Sequence, residues 1–367
     1  MWLAIFAAML LVSVGGAVYL VRGVHRFSFL KKLGEKHRLL SWVLSEALLS
    51  LTGFFALINS WTVIVVLIHL FVFWLVCDII AAVYRKITGR ERVRNYAGAA
   101  AIVFTAVYLG IGWYLAHHVV IREYSFTSPK LSGENIKAVL IADSHIGITL
   151  DGDEFAVQAE RIAGLDPDIV FIAGDFVDDD TPKADMEKAC DALGQLHPRL
   201  GTYFSFGNHD KGYSDYRGYT ADDVAARLEE NGITVLTDEC ADAGDRLYII
   251  GRKDKYEENY GSGRASMEEL MRNAAGDRYT VVLDHQPNAY DEEAAAGADL
   301  VLSGHTHGGH LFPAGYIGLA FGANDRIYGK ERRGNTDFLV TSGISGWAIP
   351  FKTGTVSEIV VISISGE

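Results

Sequence analysis

Thiol chemistry has little to work with in this chain. It holds three cysteines, Cys77, Cys190 and Cys240, and no C-x-x-C spacing, which argues against a thiolate metal site. Cys190 and Cys240 could pair in an oxidising compartment, but spacing alone does not decide it. A basic surface is missing from the C-terminal part. Residues 131–367 hold 20 Lys/Arg against 41 Asp/Glu, a net −21. An acidic segment of this kind has no stripe for a phosphate backbone, so no nucleic-acid partner is expected. The N-terminus lacks Lys and Arg ahead of its first apolar run and lacks an obvious small-residue cleavage site, so that run does not read as a cleaved signal peptide. Repeats and low-complexity tracts are also missing.

What is present divides in two. Residues 1–130 hold 13 Lys/Arg against 5 Asp/Glu, a net +8, which with the −21 gives the −13 of the whole chain. This basic part contains four apolar runs, about 2–21, 39–59, 61–84 and 96–119. Each has about 20 residues, enough to cross a ~30 Å hydrocarbon core. Four in succession cannot all be buried in so small a soluble domain. The expectation is therefore an all-α four-helix transmembrane region over 1–122.

The basic residues predict its orientation. The link after the first run carries Arg22, Arg26, Lys31, Lys32, Lys36 and Arg38, and the link after the third carries Arg85, Lys86, Arg90, Arg92 and Arg94. The short "NSW" link carries none. Basic links stay cytoplasmic. Both termini, and the acidic part, are then expected outside a bacterial cytoplasmic membrane. Glu46 and Asp78 fall inside runs at similar depth. Such carboxylates are candidate functional groups, although a packing contact, or a pair with Arg38 or Lys86, accounts for them more simply.

A polar stretch, 123–136, reads as a linker. From Lys137 short apolar strands alternate with amphipathic helices through residue 367, the pattern of an α/β domain with both sheet faces covered. Each of five strands ends in polar residues: "VLIADSH", "VFIAGDFVD", "YFSFGNHD", "VVLDHQP" and "LVLSGHTHGGH". Ligands bind at the carboxyl ends of strands in such sheets. One Asp after a strand is usually a turn or a cap. Five strand ends carrying Asp, Asn and His together are not five independent caps, because buried carboxylates need a counter-charge. A metal supplies it. Carboxylate, imidazole and amide without thiolate suit Mn, Fe or Zn. Seven candidate ligands exceed one ion and serve two if a carboxylate bridges.

The ordered blocks "DSH" (143–145), "GDFVD" (174–178), "GNHD" (207–210), "DH" (284–285) and "GHTH" (304–307) resemble the calcineurin-like metallophosphoesterases, most closely a bacterial membrane-anchored or exported group. The resemblance implies a two-sheet sandwich flanked by helices (αββα). It implies that Asp143, His145, Asp175 and His307 hold a first divalent ion. Asp175, bridging, holds a second with Asn208, His285 and His305. His209 would act on the phosphoryl group and be oriented by Asp210. Gly304, Gly308 and Gly309 would let the backbone turn close to the ions. Two positions depart from the group's pattern: His310 stands where Gln is usual, and Phe351-Lys352 stands where an Arg is expected.

The expected function is hydrolysis of a phosphomonoester, a phosphodiester or a lipid pyrophosphate by a metal-bridging hydroxide. The anchor favours a lipid-linked or envelope substrate. A membrane receptor that binds a phosphorylated ligand without turnover is the alternative; a complete set of ligands together with His209 argues against it. A transporter would need more intramembrane polar groups than Glu46, His69 and Asp78. The oligomeric state is not legible.

Overall fold

The computed structural model describes residues 2–89, 94–131, 133–212, 217–274 and 276–366, with side chains from residue 13 onward apart from 259 and 260. The chain divides into two compact units, Met1–Ile111 and Gly112–Glu367.

The first unit is helical: α1 (Trp2–His25), α2 (Ser28–Lys36), α3 (Arg38–Ser50) continued by a 3₁₀ segment (Leu51–Leu57), α4 (Ser60–Thr88) and most of α5 (Tyr96–His117). The "NSW" link ends one helix and starts the next. Asn59 is extended, and its side chain accepts the Thr62 N–H at 2.8 Å, satisfying one of the donors a helix start leaves open. Gly89 closes α4 with φ +68°, the left-handed cap that glycine adopts without strain.

Three helical stretches are long and apolar enough to cross a membrane: Arg38–Leu57, Ser60–Thr88 and Tyr96–His117. The sequence reading expects four. α1 covers the first run as a helix, but side chains 1–12 lie outside the described residues. Among the described residues the supported count is three.

Leu20, Val24, Leu30, Leu70, Trp74 and Ala101 form this unit's core. Gly23 admits the Trp74 ring, since a Cβ there would sit 2.7 Å from it. Asp78 pairs with Arg26 at 2.5 Å and accepts from the Tyr19 hydroxyl at 2.7 Å. Glu46 is exposed on α3. His69 contacts the Val65 carbonyl at 2.8 Å. Asp78 and His69 are thus engaged within the unit.

The second unit is a sandwich of two mixed six-stranded sheets flanked by helices. Its elements are β1 (Val120–Ser128), β2 (Asn135–Ile141), α6 (Gly152–Ala163), β3 (Ile169–Ala173), α7 (Lys183–Gly194), β4 (Thr202–Ser205), α8 (Ala221–Glu230) and β5 (Thr234–Leu236). Then follow β6 (Glu239–Ala243), β7 (Leu247–Gly251), α9 (Tyr256–Tyr260), α10 (Met267–Leu270), β8 (Tyr279–Leu283), α11 (Tyr290–Ala296) and β9 (Leu300–Ser303). The last are α12 (Ala314–Ala320), β10 (Gly329–Arg333), β11 (Thr336–Val340) and β12 (Glu358–Gly366).

The first sheet runs β1-β12-β2-β3-β4-β5 and the second β10-β11-β9-β8-β7-β6. The stretch read as a linker is thus largely a strand. β1 pairs in parallel with β12 over nine residues, Val120 to Ser128. Its sequence "VIREYSFTS" hides this because it turns few residues inward, as an edge strand does.

The two inner sheet faces meet over Leu140, Phe171, Ile362, Ile249, Val281 and Leu302. α6, α7 and α8 cover the outer face of the first sheet through Phe155, Ile162, Met186 and Leu228. α6 and α8 each start with a reciprocal capping box, Asp151 with Glu154 and Thr220 with Asp223, which fixes where the helix enters. The cysteines are free. Cys190 is buried on α7 in the outer layer of the first sheet, while Cys240 lies on β6 of the second.

Candidate metal centre

The parallel strands β2, β3 and β4 of one sheet and β8 and β9 of the other bring their C-terminal ends to one rim. Every sequence-predicted ligand lies there. Asp143, His145, Asp175, Asn208, His285 and His307 are buried, and His305 is partly exposed.

The backbone is bent to deliver them. Asp143, His145, Asp175, His305, His307 and His310 all have φ between 36° and 69°. Non-glycine residues rarely adopt this region, and where they cluster, the surrounding contacts must hold them. Two glycines make the room. A Cβ at Gly207 would lie 2.1 Å from Asp175 Oδ1, and one at Gly304 would lie 2.5 Å from Asp143 Oδ2. Here the motif glycine lets a neighbouring loop touch a ligand carboxylate.

Among the described residues three groups of possible ligand atoms each fall within 4.8 Å: Asp143, His145 and His307; Asp175, His285 and His305; and, sharing His145 with the first, His145, Asp178 and His209. Asp175 faces the first two. Its Oδ2 is 2.9 Å from His285 Nε2 and 3.6 Å from His145 Nε2, while Oδ1 accepts the His209 N–H at 2.8 Å. The His305 N–H donates to both Asp143 oxygens, at 2.8 and 3.1 Å, and the His305 Nδ1 lies 3.1 Å from Asn208 Oδ1. Elsewhere the backbone orients the rings. His285 Nδ1 contacts the Ala173 carbonyl at 2.7 Å and His307 Nδ1 contacts that of Ser345 at 3.3 Å. A carbonyl on Nδ1 fixes the tautomer and leaves Nε2 as the ligand atom.

Charge tells the same story. Burial raises the Asp143 carboxyl and works against ionised Asp175 too, but His285, His145 and His209 hold Asp175 well below the usual carboxylate range. Burial opposes protonation of His285, yet Asp175 raises it well above the ordinary imidazole value. Burial pushes His305 down to about 3 and lowers His307 strongly. Buried carboxylates beside imidazoles, those of His305 and His307 held neutral, form a donor set for a cation. His145 Nε2 is buried with the Asp175 carboxylate 3.6 Å away, beyond hydrogen-bond reach. Such an atom carries a desolvation cost that an ion would remove. The residues fit divalent metal.

His209 sits beside this set, and the structure changes its partner. The reading from sequence gives Asp210 the task of orienting it. Instead Asp210 is buried with its carboxylate on four backbone N–H groups, those of Asp175, Phe176, Val177 and Gly207, at 2.7 to 3.0 Å. It clamps the "GD" loop to the "GN" loop. The residue on His209 Nδ1 is Asp178, at 3.0 Å, and the other Asp178 oxygen lies 3.1 Å from His145 Nδ1. The fifth position of "GDFVD" carried that signal: after a strand end, a three-residue step from Asp175 returns the chain to the same rim.

Asp254 was missed. It is buried below Gln286, whose amide donates to it at 2.8 Å and reaches Asn208 Oδ1 at 3.5 Å. Burial raises its pKa to about 6.

The two departures from the group's pattern resolve as well. His310 packs its ring 5.1 Å from that of His307. Lys352 points inward, donating to the Ser342 and Gly343 carbonyls at 2.5 and 3.2 Å. It secures the loop that carries Ser345 under His307 and does not reach out to a phosphate.

Asp284, on the rim by sequence, turns the other way. It meets Arg252 at 3.1 Å and Arg264, with Glu293 3.4 Å from Arg252, all of them almost fully buried. Removing one partner strands a buried charge, at a cost of about 3–5 kcal/mol. Arg252→Met should therefore lower the thermal midpoint clearly, as followed by circular dichroism. An unchanged midpoint would show that the network relaxes at no cost.

The calcineurin-like phosphoesterase family model matches residues 136–309. A transmembrane protein with metallophosphoesterase domain from Bos taurus is 31% identical over 238 residues, covering 62% of this chain and 52% of that protein. Its Danio rerio counterpart is 31% identical over 235 residues, 61% and 52%. An uncharacterized metallophosphoesterase of Aquifex aeolicus is 29% identical over 270 residues, 72% and 99%. The chain thus spans about half the length of the two animal relatives. The ordered motifs fold into one rim of possible metal ligands within the matched segment, and by these observations together residues 136–309 form a calcineurin-like phosphoesterase domain.

Proposed function

We propose that the chain is a membrane-anchored phosphoesterase working with two divalent ions. One observation carries this reading: two buried ligand groups lie side by side, with Asp175 facing both and His209 adjacent. Asp143, His145, Asp175 and His307 would hold one ion; Asp175, Asn208, His285 and His305 the other. The donor types favour Mn, Fe or Zn. When bound, the ions acidify water and neutralise charge on phosphoryl oxygens.

The chain's own residues do the rest. His209 is fixed twice, by its N–H on Asp175 and its Nδ1 on Asp178. Proton transfer to the leaving oxygen then falls to Nε2. Asp178 favours the protonated ring: burial works against it, but that carboxylate raises the His209 pKa. Asp210 keeps the two loops in register, so the ligands keep their spacing.

Substrate class follows from placement. The apolar helices hold the site at a membrane, which favours a lipid-linked phosphoester. A screen of the full chain in detergent with Mn²⁺, against phosphomonoesters, phosphodiesters and lipid pyrophosphates, tests this. Turnover of soluble monoesters alone would sink the lipid preference.

The basic links favour an orientation in which the second unit lies outside a bacterial cytoplasmic membrane. A reporter fused after Glu367 should be active as an extracytoplasmic one. Activity only as a cytoplasmic reporter would invert the topology and move the substrate search inside.

A further inference from the structure

The catalytic unit carries an apolar segment that its own fold does not use. Residues 311–323 read "LFPAGYIGLAFGA". The segment holds no charged residue, and none of its residues is buried. Phe312 is 57% exposed, Tyr316 53%, Ile317 52% and Phe321 86%. α12, at its centre, is apolar on all sides and packs none of them into a core. A contiguous exposed apolar patch of this kind on a folded domain marks a binding surface.

Its neighbours identify the occupant. The segment starts four residues after His307 and is tied to the loop 351–357. Thr353 and Gly354 donate their N–H groups to the His310 carbonyl at 2.8 and 2.9 Å, and the Phe312 N–H donates to Thr353 Oγ1 at 2.9 Å. The same loop holds the end of α5. Lys352 N–H donates to the Gly112 carbonyl at 2.9 Å, Ser357 N–H to that of Leu115 at 3.0 Å, and Ser357 Oγ to that of Ala116 at 2.7 Å. α5 is one of the membrane-length helices, and its final turns expose Trp113 and Tyr114. Aromatic side chains at the end of a span mark the level of the lipid headgroups. One short loop therefore joins that level to the apolar patch.

We infer that Phe312, Tyr316, Ile317, Leu319 and Phe321 insert into the bilayer interface, in the manner of an interfacial apolar face. The loop bearing His307 and His310 is then held at the headgroup layer. The insertion rests on the membrane reading of the helices and not on catalysis. Its consequence, a phosphoester presented within the headgroup layer, does rest on the phosphoesterase reading.

Depth measurement separates the two. The full chain, with its three cysteines replaced, would carry a nitroxide on Ile317→Cys or Phe321→Cys, or on Val157→Cys as an exposed reference on α6. It would be reconstituted in nanodiscs of equal phosphatidylcholine and phosphatidylglycerol. Metal content equal to that of the unlabelled chain verifies the fold. The expected result is a several-fold higher ratio of oxygen to nickel-chelate accessibility at 317 and 321 than at 157. Labels at 317 and 321 as open to the nickel chelate as the one at 157 would overturn the inference. Spin–spin broadening that disappears on dilution with unlabelled chain would also overturn it, by making a second copy the occupant. None of these readouts depends on turnover, so loss of the catalytic reading leaves them intact.

Discussion

Asp175→Asn should cost the protein its activity and its second metal while leaving the fold in place. The Asp175 carboxylate stands between the two ligand groups, 2.9 Å from His285 Nε2 and 3.6 Å from His145 Nε2. An amide is neutral and offers one oxygen, so it cannot balance two ions. The loss should exceed that of one electrostatic donor, about 10²–10³-fold in turnover, because two sites weaken together. The backbone around it should persist, since the Asp175 N–H is held by Asp210 and not by its own side chain. Metal analysis beside a turnover assay checks this. Near-normal turnover with two bound ions would show that the bridging assignment is wrong.

His209→Ala should separate chemistry from metal binding. The ring is engaged by Asp178 and sits 5.1 Å from His145, centroid to centroid. Turnover should fall by about 10²–10⁴-fold, the range for a positioned acid or base, with both ions retained. The drop should be smaller for substrates with good leaving groups, which need no proton. Asp178→Asn should give a milder form of the same defect, about 10–100-fold, as for loss of a group that orients a metal-site histidine. Equal losses across leaving groups would limit His209 to charge stabilisation, and loss of a metal would make it a ligand.

The site was legible in sequence because parallel strands end on one rim. Asp143, Asp175, Asn208, His285 and His305 each follow an apolar run that can only be a buried strand, so their convergence needed no coordinates. Their partners within the rim were less legible. Asp210 follows His209 in the chain, and adjacency suggested a pair. Adjacent residues on a tight turn point apart, however, and the carboxylate found backbone N–H groups instead.

Distance in sequence hid other features. Arg26 and Asp78 lie 52 residues apart on different helices, so depth arguments reached Asp78 but not its partner. β1 escaped because its few inward residues, Phe126 among them, do not produce a regular alternation. The apolar segment 311–323 gave no periodic signal, since no face of it is buried.

The central claim is that catalysis needs two ions held by one shared carboxylate. Metal-stripped full chain, titrated with Mn²⁺ while bound ions are counted by native mass spectrometry and turnover of a phosphodiester is followed, tests it directly. The predicted result is turnover that rises only with the second ion, and no two-ion species in Asp175→Asn. Full turnover at one ion per chain, or two bound ions with no hydrolysis of any phosphoester, would contradict it.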